Sequence, residues 1–153
     1  MNRDDTLRRA LTSQLLQSGR QWRRIAEAEL KSLGLSEALA MPLIWVSRLG
    51  GGVRQITLAA RIGIEGASLV RLLDQLADAG LIERRAHPED RRANAIWLTA
   101  DGEQLVGKIE KALNGARAAT LDGMPASDLE ATMRVLKAIE AAAASQSGAA
   151  RDG

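Results

Sequence analysis

The stretch Gly80–Thr99, GLIERRAHPEDRRANAIWLT, decides the fold of this chain. It opens with a glycine that suits the end of a helix, followed by the apolar start of a strand at Leu81 and Ile82. Paired arginines stand on either side of a turn-rich tip at 87–90, and an alternating strand follows at 95–98. A strand, a charged turn and a second strand together predict a β-hairpin with a basic tip.

The residues before this hairpin indicate which fold it belongs to. Residues 56–79, ITLAARIGIEGASLVRLLDQLADA, predict two short helices joined at Gly63. In the second helix the leucines recur at i, i+3, i+4 and i+7, which predicts a buried stripe of Leu69, Leu72, Leu73 and Leu76. The opposite stripe carries groups able to bond phosphates and base edges, namely Ser68, Arg71 and Gln75. A helix-turn-helix followed by a basic hairpin predicts a winged helix, a fold that commonly binds duplex DNA.

Long amphipathic helices are predicted on both sides of this unit. From residue 4 to about residue 33, leucines recur at helical spacing, and the rise of about 1.5 Å per residue makes such a helix roughly 40 Å long. One small core cannot cover that length, so we expect a partner chain to bury the excess. After the hairpin, Thr99 is a candidate cap for a helix of about twenty residues. Ser127 with Glu130 predicts a capping box at the start of a last helix.

The predicted fold class is therefore mainly α, with a small α+β part that holds the wing hairpin. We expect one domain over residues 1–144, followed by a polar and disordered tail over residues 145–153. Within that domain the winged helix-turn-helix head spans about 53–99. The N-terminal and C-terminal dimerisation helices span about 4–33 and 100–144.

Composition narrows the class of protein. The chain has no cysteine, which excludes disulfides, thiolate metal sites and cysteine-based redox sensing. No apolar run approaches the ~18 residues of a membrane span, and the N-terminus lacks the apolar core of a signal peptide, so we expect a soluble cytoplasmic protein without membrane contact. The net charge of +2 is a weak argument for nucleic acid, so the basic residues must be well placed to matter.

An enzyme has little support in this sequence. His87 is the only histidine, and it stands on the hairpin tip beside Pro88 with no candidate nucleophile near it in sequence. We expect His87 to face water, and the alternative is contact with a phosphate. The chain also lacks a phosphate-binding loop and a cluster of metal ligands, so we expect no catalytic activity, no metal site and no cofactor.

Two segments of the chain resemble the MarR family of bacterial transcriptional regulators, and in particular its SlyA-like branch. Residues 90–99, DRRANAIWLT, fit the family's wing signature, and residues 64–76, IEGASLVRLLDQL, are similar to the branch's recognition helix. The branch often has proline where this chain has Ala67, a mild departure in the first helical turn. The resemblance implies a winged-helix head in an all-helical dimer shaped like a triangle.

The resemblance also implies roles for the head's polar residues. Ser68, Arg71 and Gln75 would enter the major groove, and Arg92 would enter the minor groove with Arg91 as the second candidate. Further wing residues expected at the DNA interface are Arg84, Arg85 and Asp90. The two arginines would divide between phosphate contact and pairing with Glu83 or Glu89, while Asp90 would hold a wing arginine by a bidentate bond. The competing interpretation of Arg71 is a solvated arginine paired with Asp74 or Gln75 on its own helix.

Many relatives release DNA when a small aromatic acid or similar anion enters a cleft between the dimerising helices and the head. The residues of this chain that suit such a site are Arg20, Trp22, Arg23 and Trp45. The alternative is interface packing or solvated charge, because arginines that flank a tryptophan on a long helix commonly have those roles.

Two functions thus remain open for the sequence. The first is a homodimeric regulator, acting as a repressor, that binds a pseudo-palindromic double-stranded DNA operator and responds to a small aromatic acid or other anionic effector. The second is a winged helix that contacts a partner protein and has no specific DNA binding. Salt dependence separates them, because DNA binding loses affinity steeply as salt rises.

Overall fold

The computed structural model describes residues 2–149 and confirms the predicted mainly helical class with a small antiparallel sheet. Long helices come before and after a central segment of shorter helices and strands. In chain order the elements are α1 (Arg3–Lys31), α2 (Glu37–Arg48), β1 (Val53–Arg54), α3 (Gln55–Ile62), α4 (Gly66–Asp78), β2 (Ile82–His87), β3 (Asp90–Leu98), α5 (Ala100–Leu121) and α6 (Ala126–Ala149).

The sheet has three antiparallel strands in the order β1-β3-β2. The hairpin β2–β3 has the predicted position, and an irregularity between Ala86 and His87 lets its register shift near the tip. Strand β1 was not predicted, because a strand of two residues is too short to show a periodicity. Its pairing of Arg54 with Ala95 brings the start of α3 next to β3.

Side-chain hydrogen bonds cap the N-terminal ends of α2 and α5, and the cap of α5 is the predicted one. Ser36 accepts a hydrogen bond from the Leu39 N–H at 3.2 Å and begins α2. Thr99 does two things at the start of α5. Its Oγ1 accepts from the Gly102 N–H at 3.1 Å and donates to the Gly80 carbonyl at 2.7 Å. The threonine therefore ties the end of the wing to the turn that follows α4.

The hydrophobic core lies inside the first of two compact units, Met1–Ala116. The predicted leucine stripe of α4 faces this core, with Leu69, Leu73 and Leu76 buried and Leu72 half-buried. Because these leucines fix the rotation of α4, the opposite face of the helix points to solvent. The other fully buried large side chains are Leu30, Leu43, Ile44, Leu58, Ile96, Ile109, Val46 and Pro42.

A glycine turn makes room for the Trp97 side chain in the head. Gly51 and Gly52 adopt φ values of +80° and +61°, which an L side chain rarely takes. A Cβ atom built on Gly51 would lie 2.8 Å from the Trp97 ring, and one built on Gly52 would lie 2.7 Å from it. The absence of side chains at both positions thus allows the indole to pack against the backbone.

The second unit, Arg117–Gly153, contains helix α6, whose two ends differ from the prediction. The helix begins at Ala126, where the Leu129 N–H donates to the Pro125 carbonyl at 3.3 Å. Ser127 therefore lies inside the helix, and the predicted capping box is wrong.

The other end of α6 extends to Ala149, so residues 145–149 of the predicted disordered tail are helical. Ser145 Oγ and Ser147 Oγ donate to the carbonyls of Ala141 and Ala143, at 3.0 and 3.1 Å. This alanine-rich segment favours a helix strongly enough to continue it through the polar residues. Residues 150–153 of the tail lie outside the described residues, and the single domain over residues 1–144 stays a prediction.

Candidate nucleic-acid interface

The helix-turn-helix presents its polar stripe to solvent. Gly63 takes the left-handed conformation, with φ of +79°, and its N–H donates to the Ala59 carbonyl at 2.9 Å, which closes α3. Helix α4 then buries its leucines, and the three residues predicted to enter the major groove, Ser68, Arg71 and Gln75, are all exposed. The structure therefore places these three side chains on one accessible face.

Arg84 forms an ion pair with Asp74, the acidic residue that is nearest to Arg71 in the sequence. Its Nη2 donates to Asp74 Oδ1 at 2.6 Å, which joins strand β2 to helix α4. The cause is the strand register, since Arg84 pairs with the buried Ile96 and so points inward toward α4. Its partner is therefore neither Glu83 nor Glu89. Among residues 2–149 the structure records no side-chain partner for Arg71.

Arg85 points to the other face of the sheet and is also paired. Its Nε donates to Glu83 Oε2 at 3.0 Å and its Nη2 donates to the same oxygen at 2.5 Å, as the sequence predicted for one of the two arginines. The guanidinium also lies over the Trp97 ring, 5.5 Å from the ring centre. Arg85 is thus held against the outer face of the wing.

The wing tip leaves two arginines exposed. Arg91 and Arg92 are both accessible, and in the described part of the chain no carboxylate pairs with either guanidinium. Asp90 acts differently from the prediction. Its Oδ1 accepts from the backbone N–H of Arg92 at 3.0 Å, so the carboxylate orders the turn and does not hold a guanidinium. The predicted bidentate bond to a wing arginine is wrong.

His87 does not face water as predicted. It is half-buried, and its Nδ1 accepts from the Glu89 N–H at 3.2 Å. The Nη2 of Arg54 lies 3.4 Å from the same nitrogen, and since a guanidinium only donates, Nδ1 is the acceptor for both groups. The sequence did not predict a role for Arg54 at this site, because only the pairing of β1 with β3 brings the residue to the wing.

The four residues predicted to bind an effector have separate surroundings. Arg23 on α1 lies 3.6 Å from the Glu37 carboxylate, while Arg20 is exposed and Trp22 is half-buried. Trp45 on α2 is flanked by two guanidiniums, with Arg48 and Arg61 at 5.5 and 5.8 Å from its ring. None of the three clefts described within residues 46–103 is lined by any of the four predicted residues.

Neither a candidate membrane span nor a candidate metal site occurs within residues 2–149. No helix in this range is both long enough and apolar enough to cross a membrane. Within the same range no three acidic, histidine or cysteine side chains are grouped so that they could hold a metal ion.

The family model of the MarR family matches residues 35–93 of the chain. The structure of the transcriptional regulator PA3341 is similar to this chain, with 36% sequence identity and a TM-score of 0.82. The match covers 88% of this chain and 98% of that protein. CouR from Rhodococcus jostii RHA1, bound to p-coumaroyl-CoA, is 25% identical over 84% of this chain and 90% of its own length, with a TM-score of 0.78.

A MarR family regulator from Listeria monocytogenes, complexed with 26mer DNA, is 20% identical and shares the fold. That match covers 88% of this chain and 89% of the Listeria protein, with a TM-score of 0.78. The SlyA-like branch stays a prediction. The chain belongs to the MarR family, whose members are transcriptional regulators and not enzymes.

Proposed function

We propose that the chain is a homodimeric, cytoplasmic repressor that binds a pseudo-palindromic double-stranded operator in a sequence-specific manner. Helix α4 lies in the major groove with Arg71 on a base edge or phosphate, flanked by Ser68 and Gln75. The wing lies along the adjacent minor groove, which Arg92 enters. A small aromatic or otherwise anionic ligand releases the protein from DNA.

One observation carries this proposal, namely the division of the head's arginines into paired and unpaired sets. Arg84 forms an ion pair with Asp74, and Arg85 forms an ion pair with Glu83. Arg71, Arg91 and Arg92 are exposed and have no recorded carboxylate partner among residues 2–149. Positive charges that protrude from a helix face and a hairpin tip are available for phosphates and base edges. The Listeria relative, complexed with 26mer DNA, supports DNA as the partner.

Exposed apolar side chains support the homodimer. On α1, Leu7, Leu11 and Leu15 recur at helical spacing, and their exposed fractions are 58%, 45% and 36%. On α6, Met133 is 51% exposed. Apolar surface of this extent favours association, and a two-fold dimer would carry two α4 helices to two half-sites.

The effector proposal rests on the basic and aromatic residues of α1 and α2 and on a relative. CouR is bound to p-coumaroyl-CoA, an aromatic acyl group on an anionic carrier. In this chain Arg20 and Arg23 would meet the negative charge, and Trp22 and Trp45 would meet the ring. Titration with p-coumaroyl-CoA and simple aromatic acids, followed by tryptophan fluorescence, tests the idea. Arg23→Ala should weaken the response, and the adjacent Arg24→Ala is the matched control.

The experiment that tests DNA binding is the salt dependence of the affinity for a labelled duplex. Each phosphate that the protein neutralises contributes about −0.9 to the slope of log affinity against log salt, so we expect a steep fall. Arg92→Ala should weaken binding and make the slope shallower by about one unit. Weak duplex binding that hardly responds to salt would contradict the proposal and favour the protein-interaction module.

A further inference from the structure

A cleft of about 410 Å³ opens where the first turn of α3 meets strand β3. From one side it is lined by Arg54, Gln55 and Ile56, and from the other by Asp90, Arg92 and Asn94. The register explains the meeting, since Arg54 pairs with Ala95 and the chain then turns into α3 beside the earlier residues of β3. Asn94 Nδ2 lies 3.5 Å from Gln55 Oε1 and donates to it across the cleft.

The exposure of Ile56 is unusual for its residue type. At 76% it is the most exposed of the large apolar side chains among residues 2–149. Packing within the head does not account for it, because α3 buries Leu58 and Ala59 instead. Ile56 lines the same cleft as Arg54 and Arg92, and this combination fits a ligand that is apolar in one part and anionic in another.

The charges of the cleft favour an anion. Arg54 and Arg92 bring two positive charges, and Asp90 brings one negative charge whose Oδ1 already accepts the Arg92 N–H. Arg54 is half-buried, and its Nη2 is 3.4 Å from His87 Nδ1, a contact that brings no negative charge to the guanidinium. Its charge is therefore not compensated by that contact.

We propose that this cleft seats one sugar-phosphate unit of the DNA backbone that borders the minor groove. The inference rests on the proposed function, because Arg92 both lines the cleft and enters that groove. Arg54 binds the phosphate, Ile56 covers the apolar face of the deoxyribose, and the Gln55–Asn94 amide pair contributes polar contacts. Because every nucleotide has the same backbone, this seat adds affinity and fixes the register without adding sequence preference.

Substitution of Ile56 tests the seat with little risk to the fold, because the side chain is largely exposed. Fluorescence anisotropy on a labelled duplex of mixed sequence would measure affinity against salt. We expect Ile56→Glu to weaken binding by about tenfold or more, and Ile56→Lys to strengthen it and steepen the salt slope by about 0.9. Gln104→Glu, which places the same charge on the exposed side of α5, should bind as the unaltered chain does.

Arg54 offers a second test with its own control. Arg54→Gln should make the salt slope shallower by about 0.9, since one phosphate contact is lost. His87→Ala removes the same hydrogen bond but leaves the positive charge, so its slope should stay that of the unaltered chain. Equal slopes for the unaltered chain and Arg54→Gln would overturn the role of Arg54.

The outcomes separate this inference from the proposed function. If the unaltered chain binds duplex and Arg71→Ala weakens it, while both Ile56 variants bind as the unaltered chain does, the seat is wrong and the regulator stands. If the unaltered chain binds no duplex, both proposals are overturned.

Discussion

Arg84 on β2 and Asp74 on α4 form an ion pair of 2.6 Å that joins the wing to the helix proposed to read DNA. Asp74 is also three residues after Arg71 on the same helix, a spacing at which opposite charges attract. By binding Asp74, Arg84 leaves the Arg71 guanidinium available to a ligand. If the proposed function holds, we expect Arg84 to contribute to DNA binding through Asp74 and Arg71 rather than through its own contact with DNA.

A double-mutant cycle tests this role of Arg84. Arg84→Ala frees the Asp74 carboxylate for Arg71, so we expect duplex affinity to fall. Arg84→Ala combined with Asp74→Ala should recover part of that loss, with a coupling energy of about 0.5–3 kcal/mol. Because Asp74 is 57% exposed, the change in stability itself should be small, about 1 kcal/mol or less. A double variant as weak as Arg84→Ala would instead indicate that Arg84 contacts phosphate directly.

Arg71→Ala should reduce discrimination between DNA sequences. A bidentate contact to a base edge contributes about 1–3 kcal/mol to the choice of the correct base. We therefore expect the affinity for the preferred duplex to fall by that amount, while affinity for a scrambled duplex changes less. Anisotropy titrations on both duplexes measure the difference, with Arg24→Ala on α1 as control. Equal losses on the two duplexes would identify Arg71 as a phosphate contact.

The glycine turn predicts a graded loss of stability. Gly50→Ala meets only the cost of its left-handed backbone, φ +83°, because no atom lies within 4 Å of the new Cβ. That cost is about 1–2 kcal/mol. Gly52→Ala adds a clash with the Trp97 ring, so it should cost about 1–3 kcal/mol more. Urea unfolding measures both, and equal losses would show that the indole can move aside.

The exposed face of α6 predicts the oligomeric state. Met133→Glu places a charge among apolar side chains and should shift the protein from dimer to monomer in light scattering. Ala138→Glu is the control, because this exposed alanine lies about 140° around the helix from Met133. DNA affinity should fall with the dimer in Met133→Glu alone. A dimeric Met133→Glu variant would place the interface elsewhere.

Much of the fold could be predicted because its signals are local. The leucine stripe of α4 predicts both the helix and its buried face, and the spacing of Thr99 after the hairpin predicts the cap of α5. The helical turn at Ser145 and Ser147 was missed, because composition alone does not show that polar side chains bond to carbonyls of their own helix.

The partners of the site residues could not be predicted in the same way. Arg84 and Asp74 are ten residues apart, and their meeting depends on which face of β2 turns inward. Arg54 and His87 are 33 residues apart, and they meet only through the pairing of a two-residue strand. Such contacts follow from the tertiary arrangement. The sequence pattern therefore identified Arg71, Arg91 and Arg92 but not that they lack carboxylate partners within residues 2–149, and it did not identify Arg54.

The most direct test of sequence-specific binding compares the duplex that the protein selects from a random-sequence pool with a scrambled duplex of equal composition. Fluorescence anisotropy at near-physiological salt would give both affinities and the stoichiometry. We expect binding at least about 10³-fold tighter to the selected duplex, saturating at one dimer per site. Equal affinity for the two duplexes, or failure of the pool to converge on any sequence, would contradict the claim that this chain is a sequence-specific regulator.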